Sequence, residues 1–221
     1  MICTVANSFP LSAGDDALQL EPGMRRVVVE TRSANEIRDL ASVRRDFLLA
    51  STFLEFYETS NLEAEGQTPA PIDALWIAAV TMYGRAFATG HRQSGRPLVP
   101  TAEPAQADHQ YFFDLRNKYI AHSANGFERS TVFADLLDPA YSLGISKIGE
   151  YQVNLNRLSR DASSRLLRLC RDQIDAITDR IEELHQDVAA ELLEMGADAT
   201  YELPDFVEPR LDGSNPRSPR R

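Results

Sequence analysis

The chain has 221 residues, 43% hydrophobic and 25% charged, a balance that excludes wholesale disorder and favours one domain with appendages. Its 33 acidic against 23 basic side chains give a net charge of -10, which excludes broad attraction to polyanions and confines any nucleic-acid contact to a local patch. Cys3 and Cys170 are too few for a disulfide framework or a four-ligand zinc site, and without a long apolar window or a basic leader the expected location is the cytoplasm, away from membranes.

In chain order, the short apolar run Ile2 to Val5 and the segment Arg25 to Glu30 both suggest strands, and residues 1–32 are expected to form an N-terminal β extension. Ser33-Ala34-Asn35-Glu36 is a capping box that predicts a helix start, with Ile37, Leu40, Phe47, Leu48, Leu54 and Tyr57 carrying an apolar stripe to about Ser60. After the breaker Gly66 to Pro71, the residues Ile72, Leu75, Trp76, Ala79, Tyr83, Ala86 and Phe87 predict a second helix ending at Gly90. Thr101 to Pro104 opens a third helix, expected to run to His122 and stop at Asn125-Gly126.

From Phe127 to Val153 the period changes, and two strands joined around Asp138-Pro139 are expected as a β-hairpin. From Leu155 to Met195 apolar residues recur at three and four, predicting one helix of roughly 60 Å, longer than the body of a small bundle. Part of it is therefore expected to pack on something outside the monomer, a second copy being the simple candidate. Residues 201–221, with Pro204, Pro209, Pro216, Pro219 and four arginines, have the composition of a flexible tail. The expected fold class is mainly α, with residues 33–200 as the helical domain.

Chemistry concentrates on the third helix. Asp114 and Lys118 are an acid-to-base i,i+4 pair and mark the solvent face, whereas Arg116 projects about 160° to 200° away from both. Its helical neighbours Phe112, Phe113, Tyr119 and Ile120 include no acid, so it needs a distant carboxylate, a partner chain or an anion. His122, six residues later, adds a group of the type that titrates near neutrality, and a fixed cation with such a group suits phosphoryl chemistry. In an ideal helix the two diverge by about 120°, so one chain does not bring them together unless the helix end unwinds, whereas two copies across a dimer axis would.

The string Arg116-Asn117, four residues, His122 resembles the R-polar-x4-6-H motif of the HEPN superfamily of small helical bundles, nearest in flavour to its abortive-infection members. The helix order over about residues 34–195 is also similar, with the motif late in the third helix and a long fourth helix after an insert. The resemblance implies a four-helix up-down bundle and a homodimer with one composite cleft. In active members it implies a metal-independent endoribonuclease without cofactor that leaves a 2′,3′-cyclic phosphate, in a toxin or phage-defence role. By position, Arg116 would stabilise the scissile phosphate, Asn117 would orient groups and His122 would shuttle a proton. Toxins silenced by nucleotide transfer carry a tyrosine two residues after the histidine; here Ala124 stands there, so that regulation is unsupported. No antitoxin partner can be named. The competing expectation is a catalytically inactive dimerisation or nucleotide- or RNA-binding module.

Three further residues are candidates for substrate binding: Arg85, which lacks an acid at i±3 or i±4, His109, two turns before Arg116, and Tyr119, able to stack a base. Against these stand a salt bridge, an ordinary polar position and a core tyrosine. No phosphate-binding glycine loop, no metal-ligand spacing of histidines or cysteines and no nucleophile elbow is present, so nucleotide hydrolysis, zinc chemistry and acyl transfer are not expected.

Overall fold

A computed structural model describes residues 20, 22–60, 70–88, 92, 95–122, 128–138, 140, 143–155 and 157–208. The fold is mainly helical with a two-stranded antiparallel hairpin. In chain order the elements are α1 (Arg32–Thr59), α2 (Ala70–Ala86), α3 (Ala105–Asp114), a π-helical turn (Leu115–Ile120), β1 (Glu128–Leu136), β2 (Ile145–Asn154), α4 (Arg160–Met195) and α5 (Ala197–Tyr201). No helix among the described residues is long and apolar enough to cross a membrane.

The described residues divide into two compact units, one within residues 32–188 and one within residues 20–31 and 189–208. In the larger unit, α1 places Leu40, Val43, Phe47, Leu54 and Tyr57 at three- and four-residue spacing in the core, where Trp76, Val80 and Tyr83 of α2, Phe112 of α3 and Leu166 of α4 join them. Polar pairs fix the helices. Tyr57 donates to Leu158 O at 2.7 Å, Ser163 to Glu58 at 2.8 Å, Arg44 to Thr178 at 3.1 Å and Arg180 to Glu36 at 3.0 Å, so the contacts run in opposite order along α1 and α4. Arg165 of α4 holds Asp108 of α3 at 2.6 Å.

α4 begins at Arg160, five residues later than the apolar stripe suggests. Ser159 caps it, its hydroxyl accepting the Ala162 amide at 3.1 Å, and such a cap satisfies a donor that an early turn leaves orphaned. Its buried residues end at Leu184, so the last eleven residues contribute nothing to the core. Similarly, α2 stops at Ala86, short of the expected Gly90, which lies outside the described residues together with the expected stop at Asn125-Gly126.

The hairpin forms where expected. Asp138 accepts the Ala140 amide at 2.8 Å in an Asx turn, and the Leu137 amide reaches Gly144 O at 3.0 Å. Every residue of β1 is exposed.

In the smaller unit the expected strand at Arg25 to Glu30 is reduced to a single bridge between Val27 and Asp205. The Val28 amide donates to Pro204 O at 2.8 Å and the Phe206 amide to Arg26 O at 2.9 Å, so the N-terminal segment pairs with residues read from sequence as the start of a tail. Arg25 reinforces this, reaching Asp205 at 2.6 Å and Leu203 O at 2.8 Å. Gly196, at φ +86, makes the left-handed link between α4 and α5 that a side chain would resist. The predicted strand Ile2 to Val5 and the tail beyond Glu208 lie outside the described residues.

Candidate functional site

The third helix does not stay α-helical to His122. After Asp114 the ladder widens, and the Ala121 amide donates to Arg116 O, five residues back, at 3.0 Å. Such π-turns are uncommon and concentrate at functional positions because they re-aim side chains within a helix. Here the turn carries Arg116 and Asn117. Lys118 and Asp114 meet at 3.1 Å on the exposed face, as their spacing requires, and Arg116 lies half-buried on the other.

Arg116 leans across α2. A β-carbon on Gly84 would lie 2.8 Å from its Cγ and 3.1 Å from its Cδ, so the missing side chain at position 84 is what admits the arginine stem. One guanidinium nitrogen donates to Asn117 Oδ1 at 2.8 Å, and among the described residues no carboxylate pairs with it. The guanidinium is anchored at its stem and by one amide, and its other donors have no partner among the described residues.

His122 stands two residues beyond the turn, exposed, with no hydrogen bond or ion pair among the described residues. Within one chain no hydrogen bond joins it to Arg116 or Asn117. Tyr119 is placed differently. Its ring stacks on Trp76 with centroids 6.1 Å apart and 13° between planes, and its hydroxyl donates to Leu155 O at 3.1 Å. Burial raises its pKa above the usual tyrosine value. It ties the π-turn to α2 and to the segment entering α4.

Arg85 is engaged by Asp46 of α1, whose carboxylate is 1% exposed. Nε donates to Oδ2 at 3.2 Å, a second guanidinium nitrogen meets Oδ1, and the carboxylate holds the arginine pKa above its ordinary value. Arg92 reaches the same carboxylate at 2.7 Å. One buried acid thus gathers two cations from α2 and the loop after it.

His109 is buried in an aromatic cluster. Its Nδ1 shares a 2.8 Å hydrogen bond with the Tyr83 hydroxyl, Phe87 meets the ring edge-on at 4.5 Å and Phe113 stacks on it at 5.7 Å. Burial lowers the His109 pKa and raises that of Tyr83, so both are neutral partners. His109 borders a cavity of about 300 Å³ that Phe113, Gln110, Phe87 and Arg96 also line.

The structure thus brings Arg116 and Asn117 together, leaves His122 apart from them within one chain, and places Tyr119, Arg85 and His109 in packing or ion-pair roles. Sequence reasoning missed Gly84 and Asp46. An isolated glycine inside a helical pattern was the available signal for the first. Asp46 offers none, because its partners lie 39 or more residues away. No family model matches the chain, and no curated protein or solved structure matched it in comparison.

Proposed function

We propose that this chain is a HEPN-like endoribonuclease that works in the cytoplasm as a homodimer, without a metal, in a toxin or phage-defence role. In this reading α1 to α4 form an up-down bundle, and the motifs of two copies line one cleft. The observation that carries it is Arg116: half-buried, seated over Gly84, bonded to Asn117 and without a carboxylate among the described residues. A cation so held is preorganised for an oxyanion, which is how a fixed charge accelerates phosphoryl transfer.

The RNA 2′-hydroxyl attacks the adjacent phosphorus, the 2′-O–P bond forms and the P–O5′ bond breaks. Arg116 neutralises the charge growing on the non-bridging oxygens, and Asn117 fixes the guanidinium. His122 of the second copy, exposed and free to approach, accepts the 2′-hydroxyl proton or donates to the leaving 5′-oxygen.

The test is incubation of wild type, Arg116→Ala and His122→Ala with end-labelled RNA in excess chelator. Cleavage leaving 2′,3′-cyclic phosphate, lost in both variants while they remain folded, is expected. A broad panel of RNAs left intact by wild type would sink the nuclease and favour an inactive dimerisation or nucleotide-binding module.

A further inference from the structure

The hairpin is an arm without a partner in the described chain. Its strands pair with each other over nine positions, from Glu128 with Asn154 to Leu136 with Ile145, and it makes no extended packing with the helices described. An isolated two-stranded hairpin is marginal in water. This one also exposes apolar side chains: Val132 at 76%, Leu136 at 72%, Ile148 at 66% and Tyr151 at 63%. One face is partly self-covered, since Phe133 lies over Gly149 and Lys147 approaches the Phe133 ring at 5.8 Å. The outer edge of β1 still offers unpaired backbone donors and acceptors, a template for another strand.

The sequence of β1 says which strand fits. Arg129 and Asp135 lie three residues either side of Val132 and alternate onto the same face of the sheet. Neither makes an ion pair among the described residues. If β1 meets a second β1 antiparallel about a two-fold axis through Val132, each Arg129 stands opposite the other copy's Asp135. Thr131 then stands opposite Phe133, Ser130 opposite Ala134, and Val132 opposite itself. Asp135 already has Lys147 as its cross-strand neighbour. The row across the joined sheet would read Lys147, Asp135, then Arg129 and Val153 of the other copy, with charges alternating in sign. No centre on β2 places its two charges, Lys147 and Glu150, opposite each other. They are three residues apart and point to opposite faces, whereas a two-fold axis perpendicular to the sheet pairs only residues of one face.

We infer that two copies of this chain associate through their arms, β1 against β1, to form a four-stranded antiparallel sheet with Val132 on the two-fold axis. The occupant is a second copy because the complementarity is to itself: one strand carries both members of the ion pair, at equal distances from one residue. The pairing gives the proposed homodimer a contact, yet it rests on the arm and not on the cleavage chemistry. Its readouts are mass and cross-linking, so its failure and the failure of the nuclease are separable.

The test is a pair of charge reversals on the full chain, Arg129→Asp and Asp135→Arg, with mass followed by sedimentation. Both positions are exposed, so neither change disturbs the core. Each variant alone would carry like charges at both contacts and dimerise at least about tenfold more weakly than wild type. An equimolar mixture would regain the dimer, because acid then faces base at both positions. Independently, Val132→Cys in a Cys3→Ser background would form an intermolecular disulfide under mild oxidation, since directly opposed β residues have α-carbons about 4.5–5.5 Å apart, within disulfide reach. Glu150→Cys, one strand over, would not. A monomeric wild type, a dimer indifferent to both reversals, or cross-linking through position 150 in place of 132 would each overturn the pairing.

Discussion

Gly84 and Arg116 occupy one another's space: the arginine Cγ lies 2.8 Å from where any other residue at position 84 would carry its β-carbon. The glycine is therefore a seat for the cation, which sets two effects of Gly84→Ala against each other. Alanine would gain up to about 1 kcal/mol of helix propensity, while crowding against the stem opposes folding by a similar amount. Because the stem is flexible and can swing aside, the melting temperature is expected to move little. The guanidinium moves with it, and the proposed RNA cleavage is expected to fall about 10- to 100-fold. Melting curves and cleavage rates on the same preparation check this; a variant as active as wild type would show that the seat is idle.

Asp46 predicts a pattern of stability. Its buried carboxylate neutralises Arg85 and Arg92 together, so Asp46→Asn removes the charge common to both. A loss of about 2–4 kcal/mol is expected, in the lower range for a broken buried pair because the Arg85 side chain is 48% exposed. Arg85→Ala leaves Arg92 on the acid and is expected to lose about 1 kcal/mol. Urea midpoints for the two variants decide it. Equal losses would mean that Arg92 does not share the carboxylate.

His109 makes stability depend on pH. Burial lowers its pKa, so the folded ring resists a proton that the unfolded chain accepts at about pH 6.5. The unfolded state then holds more protons as pH falls. The His109 contribution is full above about pH 6.5, declines below it, and levels off once the folded ring also protonates. Melting temperatures from pH 8 to pH 5, with His109→Gln as the comparison, are expected to fall more steeply for wild type. Parallel curves would place the proton uptake on other groups.

Cys170 is fully buried in α4, and burial pushes its thiol pKa up to about 12. In a Cys3→Ser background it is expected to resist thiol reagents at neutral pH until the domain opens, so labelling should rise with urea along the global unfolding curve. Rapid labelling without denaturant would reveal local opening of α1 from α4.

Much of the larger unit is legible because its helices keep their periods: Leu40 to Tyr57, Trp76 to Ala86 and Leu166 to Leu184 are buried at three- and four-residue spacing. The failures are non-local or subtle. Val27 to Val29 has strand composition, but its partner is residues 204–206, and no local signal reports a pairing across nearly the whole chain. Leu155 and Leu158 extend the α4 stripe by coincidence of spacing, and the cap at Ser159 was the better marker. At the site, the asymmetry between Lys118 and Arg116 follows from angular arithmetic. The positions of Arg85 and His109 depend on Asp46 and Tyr83, contacts that only the folded chain makes.

The widened turn at Leu115–Ile120 makes this helix unusual in how it would respond to losing a residue. In an α-helix a deletion rotates everything beyond it by about 100° and breaks the packed face. A π-turn already holds a surplus residue, so a deletion between Leu115 and Ile120 would close the ladder into regular helix with Tyr119 still within reach of Trp76. A chain shortened there would keep its fold and surrender only the local aim of Arg116. The surplus residue is thus a separable part, one that the helical scaffold does not need.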